Sequence, residues 1–176
     1  MSSNFDIHSL EFYKLMAQAK ADLDKSGKVD TDEEQSIFDN YMQRFERDGK
    51  NGITQDDVFI YHQEVTESED DKIKKQRFDE LDKRYDSLSF AEKSEYLDLI
   101  KWYNNKTKAM LDFTEDTLDT IDYMLELAEK REEQLSELTN NKENVDLYSL
   151  DLRYKASKYI ESFKTYYPRE NAQKDE

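Results

Sequence analysis

The chain has 176 residues, with 42 acidic and 26 basic side chains for a net charge of −16, no cysteine, three glycines and one proline. Such a charge repels nucleic acid and anionic membrane surfaces, and the lack of cysteine excludes disulfides, thiol catalysis and cysteine-type zinc sites. Although 39% of the residues are charged, 12% are aromatic, and these supply the buried surface a folded chain needs.

Apolar residues recur at helical spacing throughout, so the expected fold class is all-α. Phe12, Leu15, Met16 and Ala19 define a first helix near 9–21. A second is expected over 31–45, a third over 55–66 and, after the acidic hinge 66–71, a fourth over 71–85. Ser89 and Glu92 form a capping box that starts a fifth helix, over 90–111. Thr114, followed by Glu115 and Asp116, suggests a fresh start for a sixth over 115–138. Its seam of Leu118, Ile121, Leu125, Ala128, Glu132 and Leu135 is interrupted by Glu132, which favours packing within a bundle over an independent coiled coil. The segment 139–144 reads as a loop, and a last helix carrying Leu147, Leu150, Tyr154, Ile160 and Phe163 stops before Pro168.

Chemistry concentrates in the segment 22–33, DLDKSGKVDTDE. Its carboxylates are spaced along a short turn with a glycine at the centre, as a hard cation that takes six to eight oxygens requires. The segment resembles the twelve-residue loop of the EF-hand family. That resemblance implies Ca²⁺ ligands at Asp22, Asp24, Ser26, the Lys28 carbonyl, Asp30 and Glu33, with Gly27 at the sharp turn and apolar Val29 available for pairing with a second loop. The helix before it departs from the family's pattern, with Lys14, Ala17, Gln18 and Ala21 where apolar residues are usual.

A second segment, 46–57, aligns with the same pattern, and Phe38, Tyr41, Met42 and Phe45 fill the apolar positions of the helix before it. The implied ligands are weaker: Glu46, Asp48, Lys50, Gly52, Thr54 and Asp57, with Asn51 in place of the turn glycine. Two readings stand, a weak site suited to Ca²⁺ or Mg²⁺ and a metal-free structural turn. A third, worn copy over 78–100 has Asp82, Asp86, Leu88 and Glu92 in register but Arg84 at a ligand position, so no tight binding is expected.

The resemblance therefore implies an EF-hand region over 1–70, extending to 100 if the third copy counts, then a helical bundle over 71–168 and a polar tail over 169–176. His8 and His62 are far apart in the chain and read as structural. No phosphate loop or nucleophile elbow is present, and an enzyme is not expected. The expected function is a Ca²⁺-responsive regulator or sensor, with a helical interaction or scaffold protein carrying structural Ca²⁺ as the alternative. A protein partner is expected, a homodimer being one form of it. No stretch reaches the roughly 18 apolar residues of a membrane span, and the first residues lack an apolar signal core. The expected location is the cytoplasm, with export independent of a signal peptide left open.

Overall fold

The computed structural model describes residues 5–50, 52–139 and 146–168, and these form α-helices and turns with no β-strand. The all-α expectation holds. Among the described residues six α-helices follow one another: α1 (Leu10–Ala21), α2 (Asp32–Met42), α3 (Gln55–Val65), α4 (Glu69–Lys83), α5 (Phe90–Thr139) and α6 (Leu147–Tyr166). Short 3₁₀ turns, Gln43–Phe45 and Tyr85–Ser87, follow α2 and α4.

The starts are set by side-chain caps that satisfy first-turn N–H groups. Ser9 accepts from Phe12 N and Thr31 from Glu34 N, while Ser68 with Asp71 and Asp146 with Ser149 form capping boxes. One expectation is corrected. The fifth and sixth helices are a single helix of 50 residues, α5. Thr114 does not cap a new helix, because its hydroxyl donates to the Met110 carbonyl at 2.8 Å, one turn back. With no glycine or proline between 90 and 139, nothing else stops the helix. The expected polar tail, 169–176, lies outside the described residues, as does the expected loop apart from Thr139, which ends α5.

Contacts group the chain into two compact units, Met1–Phe59 with Glu115–Glu176, and Ile60–Thr114. In the first, Phe12, Tyr13, Met16, Ala17 and Ala21 of α1 are buried with Phe45, Val58, Ile121, Met124, Ala128 and Tyr159. Tyr13 stacks on Phe45 at 4.6 Å between ring centroids, and Phe12 lies 4.6 Å from Tyr159. The acid that breaks the α5 seam is paired: Glu132 takes a bidentate grip from Arg153 of α6, at 2.6 and 2.9 Å.

In the second unit α4 runs against the first part of α5. Asp71 pairs with Lys106 at 2.9 Å and Arg77 with Glu95 at 2.8 Å, which fixes an antiparallel register. Phe78 stacks between Tyr96 and Tyr103, and Lys74 lies over the half-buried Trp102 ring at 5.3 Å. Among the described residues no helix is long and apolar enough to cross a membrane.

Candidate metal centre

The turn between α1 and α2 wraps around the carboxylate of Asp22, the C-cap of α1, which is 1% exposed. Its Oδ1 accepts from Ser26 N at 3.0 Å and its Oδ2 from Gly27 N at 2.8 Å. Gly27 has φ +86°, a backbone conformation that favours glycine, and a side chain there would displace the Tyr148 hydroxyl, 2.8 Å away. The Ser26 hydroxyl donates to the Lys28 carbonyl at 3.2 Å, turning that oxygen toward the loop, while the Lys28 side chain is exposed.

The closing acid is Glu34 and not Glu33. Glu33 is exposed, whereas Glu34 is 2% exposed, and one of its carboxylate oxygens lies within 4.8 Å of one oxygen each of Asp22 and Asp24. The reason is helical register. Thr31 caps α2, so the residue three further on, Glu34, faces back over the loop; Leu23 N donates to its Oε2 at 2.8 Å and Asp30 N to its Oε1 at 3.2 Å. The span from Asp22 to Glu34 holds thirteen residues, one more than the resembled pattern of twelve. Sequence reading had a signal for this in Thr31-x-x-Glu34, the spacing of a capping box.

Charge crowding shows in the protonation of the loop. The hydrogen bond with Glu34, then partial burial and the charges of Asp24 and Glu34, push the Asp30 carboxyl above its ordinary value. Glu34 moves the opposite way, held below the usual range first by that bond with Asp30 and then by the backbone N–H donors. Burial pushes Asp22 up, but the donors Tyr123, Gly27 and Ser26 outweigh it and hold the carboxyl low.

The second turn, between the 3₁₀ segment and α3, brings Glu46, Asp48 and Asp57 within 4.8 Å of one another, as the sequence pattern implies. Asp57 is fully buried and already satisfied: Arg47 N (2.8 Å) and Asp48 N (3.1 Å) donate to Oδ1, Thr54 N (2.8 Å) to Oδ2. Burial pushes this carboxyl up, and these donors pull it below the ordinary range. The Thr54 hydroxyl donates to Asp48 at 3.2 Å. Lys50 and Gly52 are exposed, and Asn51 lies outside the described residues.

The turn between α4 and α5 carries its own cation. Arg84 donates to Glu92 at 2.6 Å, while Glu92 completes the cap with Ser89. The guanidinium first, then the Ser89 N–H, pulls the Glu92 carboxyl down to about 2. In all three turns an acid stands three residues after a Ser or Thr to which it is hydrogen-bonded: Glu34 N donates to the Thr31 hydroxyl, Glu92 N to the Ser89 hydroxyl, and Thr54 N to the Asp57 carboxylate.

No known protein family, curated protein or solved structure matches this chain.

The donors of the first turn are all oxygens: carboxylates, one hydroxyl and one carbonyl. Such a set suits a hard divalent cation and not the softer metals that select nitrogen or sulfur. The same turn is tied to the second half of α5 by contacts that no sequence pattern announced. The Tyr123 hydroxyl donates to Asp22 Oδ2 at 2.6 Å, and Lys130 Nζ reaches the carbonyls of Lys25 (2.9 Å) and Asp24 (3.4 Å).

Proposed function

We propose that the chain is a Ca²⁺-responsive protein of EF-hand type, with its principal site in the turn between α1 and α2. The observation that carries this reading is the convergence of Asp22 and Glu34, two carboxylates at most 2% exposed, on one another and on Asp24. Hydrogen-bond donors hold Asp22 and Glu34 in their charged forms, and a cation placed between them would relieve their mutual repulsion. The ion would take oxygens of Asp22, Asp24, Ser26, the Lys28 carbonyl and Glu34, with Asp30 reaching it directly or through water. An adaptable turn with this many oxygens favours Ca²⁺ over Mg²⁺, which demands a rigid octahedron and keeps its waters.

Because Asp22 ends α1 and Glu34 lies in the first turn of α2, an ion between them would fix the angle of the two helices. This is the basis of a regulatory role, and it describes a binding protein and not an enzyme. The second turn supports a weaker site for Ca²⁺ or Mg²⁺ at most, since Lys50 brings a positive charge to one of its ligand positions and Asp57 is a shorter closing acid than a glutamate.

A second reading, a scaffold in which Ca²⁺ only stabilises the fold, draws on α6. Leu147 is 86% exposed there, with Leu150 and Tyr154 exposed three and seven positions on, an apolar row suited to a protein partner. Calorimetric titration with Ca²⁺, followed by binding of a hydrophobic dye, tests both. A regulator binds Ca²⁺ and changes its dye binding. A scaffold binds Ca²⁺, melts at a higher temperature by linkage and leaves dye binding unchanged. Absence of Ca²⁺ binding refutes both readings.

A further inference from the structure

Asp22 meets two environments, one on each oxygen. Oδ1 accepts from Ser26 N at 3.0 Å and from the Ser26 hydroxyl at 3.4 Å, long bonds within the turn itself. Oδ2 accepts the two short ones, from Gly27 N at 2.8 Å and from the Tyr123 hydroxyl at 2.6 Å. Tyr123 lies 101 residues away in the chain, on α5, and is 3% exposed. Its oxygen also accepts from Gln18 Nε2 at 3.0 Å, and the same amide donates to the Gly27 carbonyl at 3.2 Å. One phenol thus closes a ring of bonds through α1, the turn and α5, and each member is held by the next.

From this geometry we infer that Tyr123 is a positioning residue for the cation: it saturates Asp22 Oδ2 so that Oδ1 alone is offered, and it makes ion binding and the placement of α5 at Tyr123 mutually dependent. The inference rests on the Ca²⁺ reading given above. An ion needs Oδ1 at a set place, and the carboxylate can swing about its own bond unless its other oxygen is pinned. Gly27 N pins it from within the turn itself; Tyr123 pins it from a long helix, α5, whose residues Ile121, Met124 and Leu127 are buried. Outer partners that orient a ligand in this way are typically worth 10- to 100-fold in metal affinity. Reciprocity follows: whatever the phenol adds to ion affinity, the ion adds to the hold of the turn on α5.

The test is calorimetric Ca²⁺ titration of the full chain as wild type, Tyr123→Phe and Tyr13→Phe, with the tyrosine ζ-carbon NMR signals followed in the wild type. Tyr13 is the control, a fully buried phenol of α1 whose hydroxyl meets His8 Nδ1 at 3.2 Å and is not part of the ring of bonds. The expected result is a roughly tenfold weaker affinity for Tyr123→Phe, unchanged affinity for Tyr13→Phe, and a Tyr123 signal that shifts with the ion. Equal affinity of wild type and Tyr123→Phe overturns the inference and leaves the site standing. Equal losses in both variants also overturn it, because the effect is then one of packing. A wild type that binds no Ca²⁺ overturns the site and the inference together.

Discussion

Glu33 and Glu34 are neighbours of identical chemistry, so they offer a sharp test of register. In Glu34→Gln the side chain keeps its shape but holds one oxygen in place of two. Both oxygens of Glu34 are in use, one accepting from Leu23 N and the other from Asp30 N, so one N–H must face an amide NH₂ and lose its acceptor. The negative charge that closes the proposed metal site goes as well. Loss of a mere outer partner costs roughly 10- to 100-fold in affinity, so loss of the closing ligand should reach about 100-fold or more. Glu33→Gln changes an exposed side chain on the outer side of the same helical turn and should leave Ca²⁺ affinity within about twofold, as surface substitutions generally do. Calorimetry on the two variants and the wild type, at one pH and ionic strength, is the assay. If Glu33→Gln abolishes binding and Glu34→Gln does not, the thirteen-residue register is wrong and the twelve-residue pattern is restored.

Three further outcomes are expected. Asp57→Ala removes the acceptor of three backbone N–H groups, so in the presence of a chelator it should lower stability by about 2 kcal/mol; a urea denaturation curve superimposable on the wild type would refute the metal-free role given to Asp57. Thr117 is fully buried and its hydroxyl has no hydrogen-bond partner among the described residues, so the isosteric Thr117→Val should stabilise by about 1 kcal/mol in the same measurement, and a destabilised variant would reveal an overlooked bond. The Glu92 carboxyl sits at about 2 against an ordinary 4.5. Its contribution to stability is thus complete above the ordinary value and is lost as the pH falls through the lower one. Carboxyl NMR titration should find that low midpoint in the wild type and a clearly higher one in Arg84→Ala, where the Ser89 N–H still holds it down in part; an unmoved midpoint would exclude the guanidinium as its main cause.

Much of the fold was legible because helix starts are local. Ser89 located the start of α5, and the expected bounds of α1, α3 and α4 fall within two residues of those observed. The single helix α5 was not legible, since Thr114 can either cap or back-bond, and which it does depends on the turn before it. The two acidic clusters could be placed by spacing alone. The acid that faces the first could not, because the twelve-residue pattern borrowed from the resemblance points to Glu33, whereas Thr31 caps α2 and turns Glu34 inward. Tyr123 and Lys130 were beyond reach, as their partners lie about a hundred residues earlier and belong to no local pattern.

The Arg84–Glu92 pair gives the third turn a different relation to its medium. A guanidinium on the chain is always at hand, at a local concentration that no chelator lowers and no influx raises. Ions in solution can order a loop only when they are supplied, so a turn that depends on them reports their level. One that has taken its counter-charge into the covalent structure is indifferent to supply, and a single arginine at a ligand position is enough to move a loop from the first kind to the second.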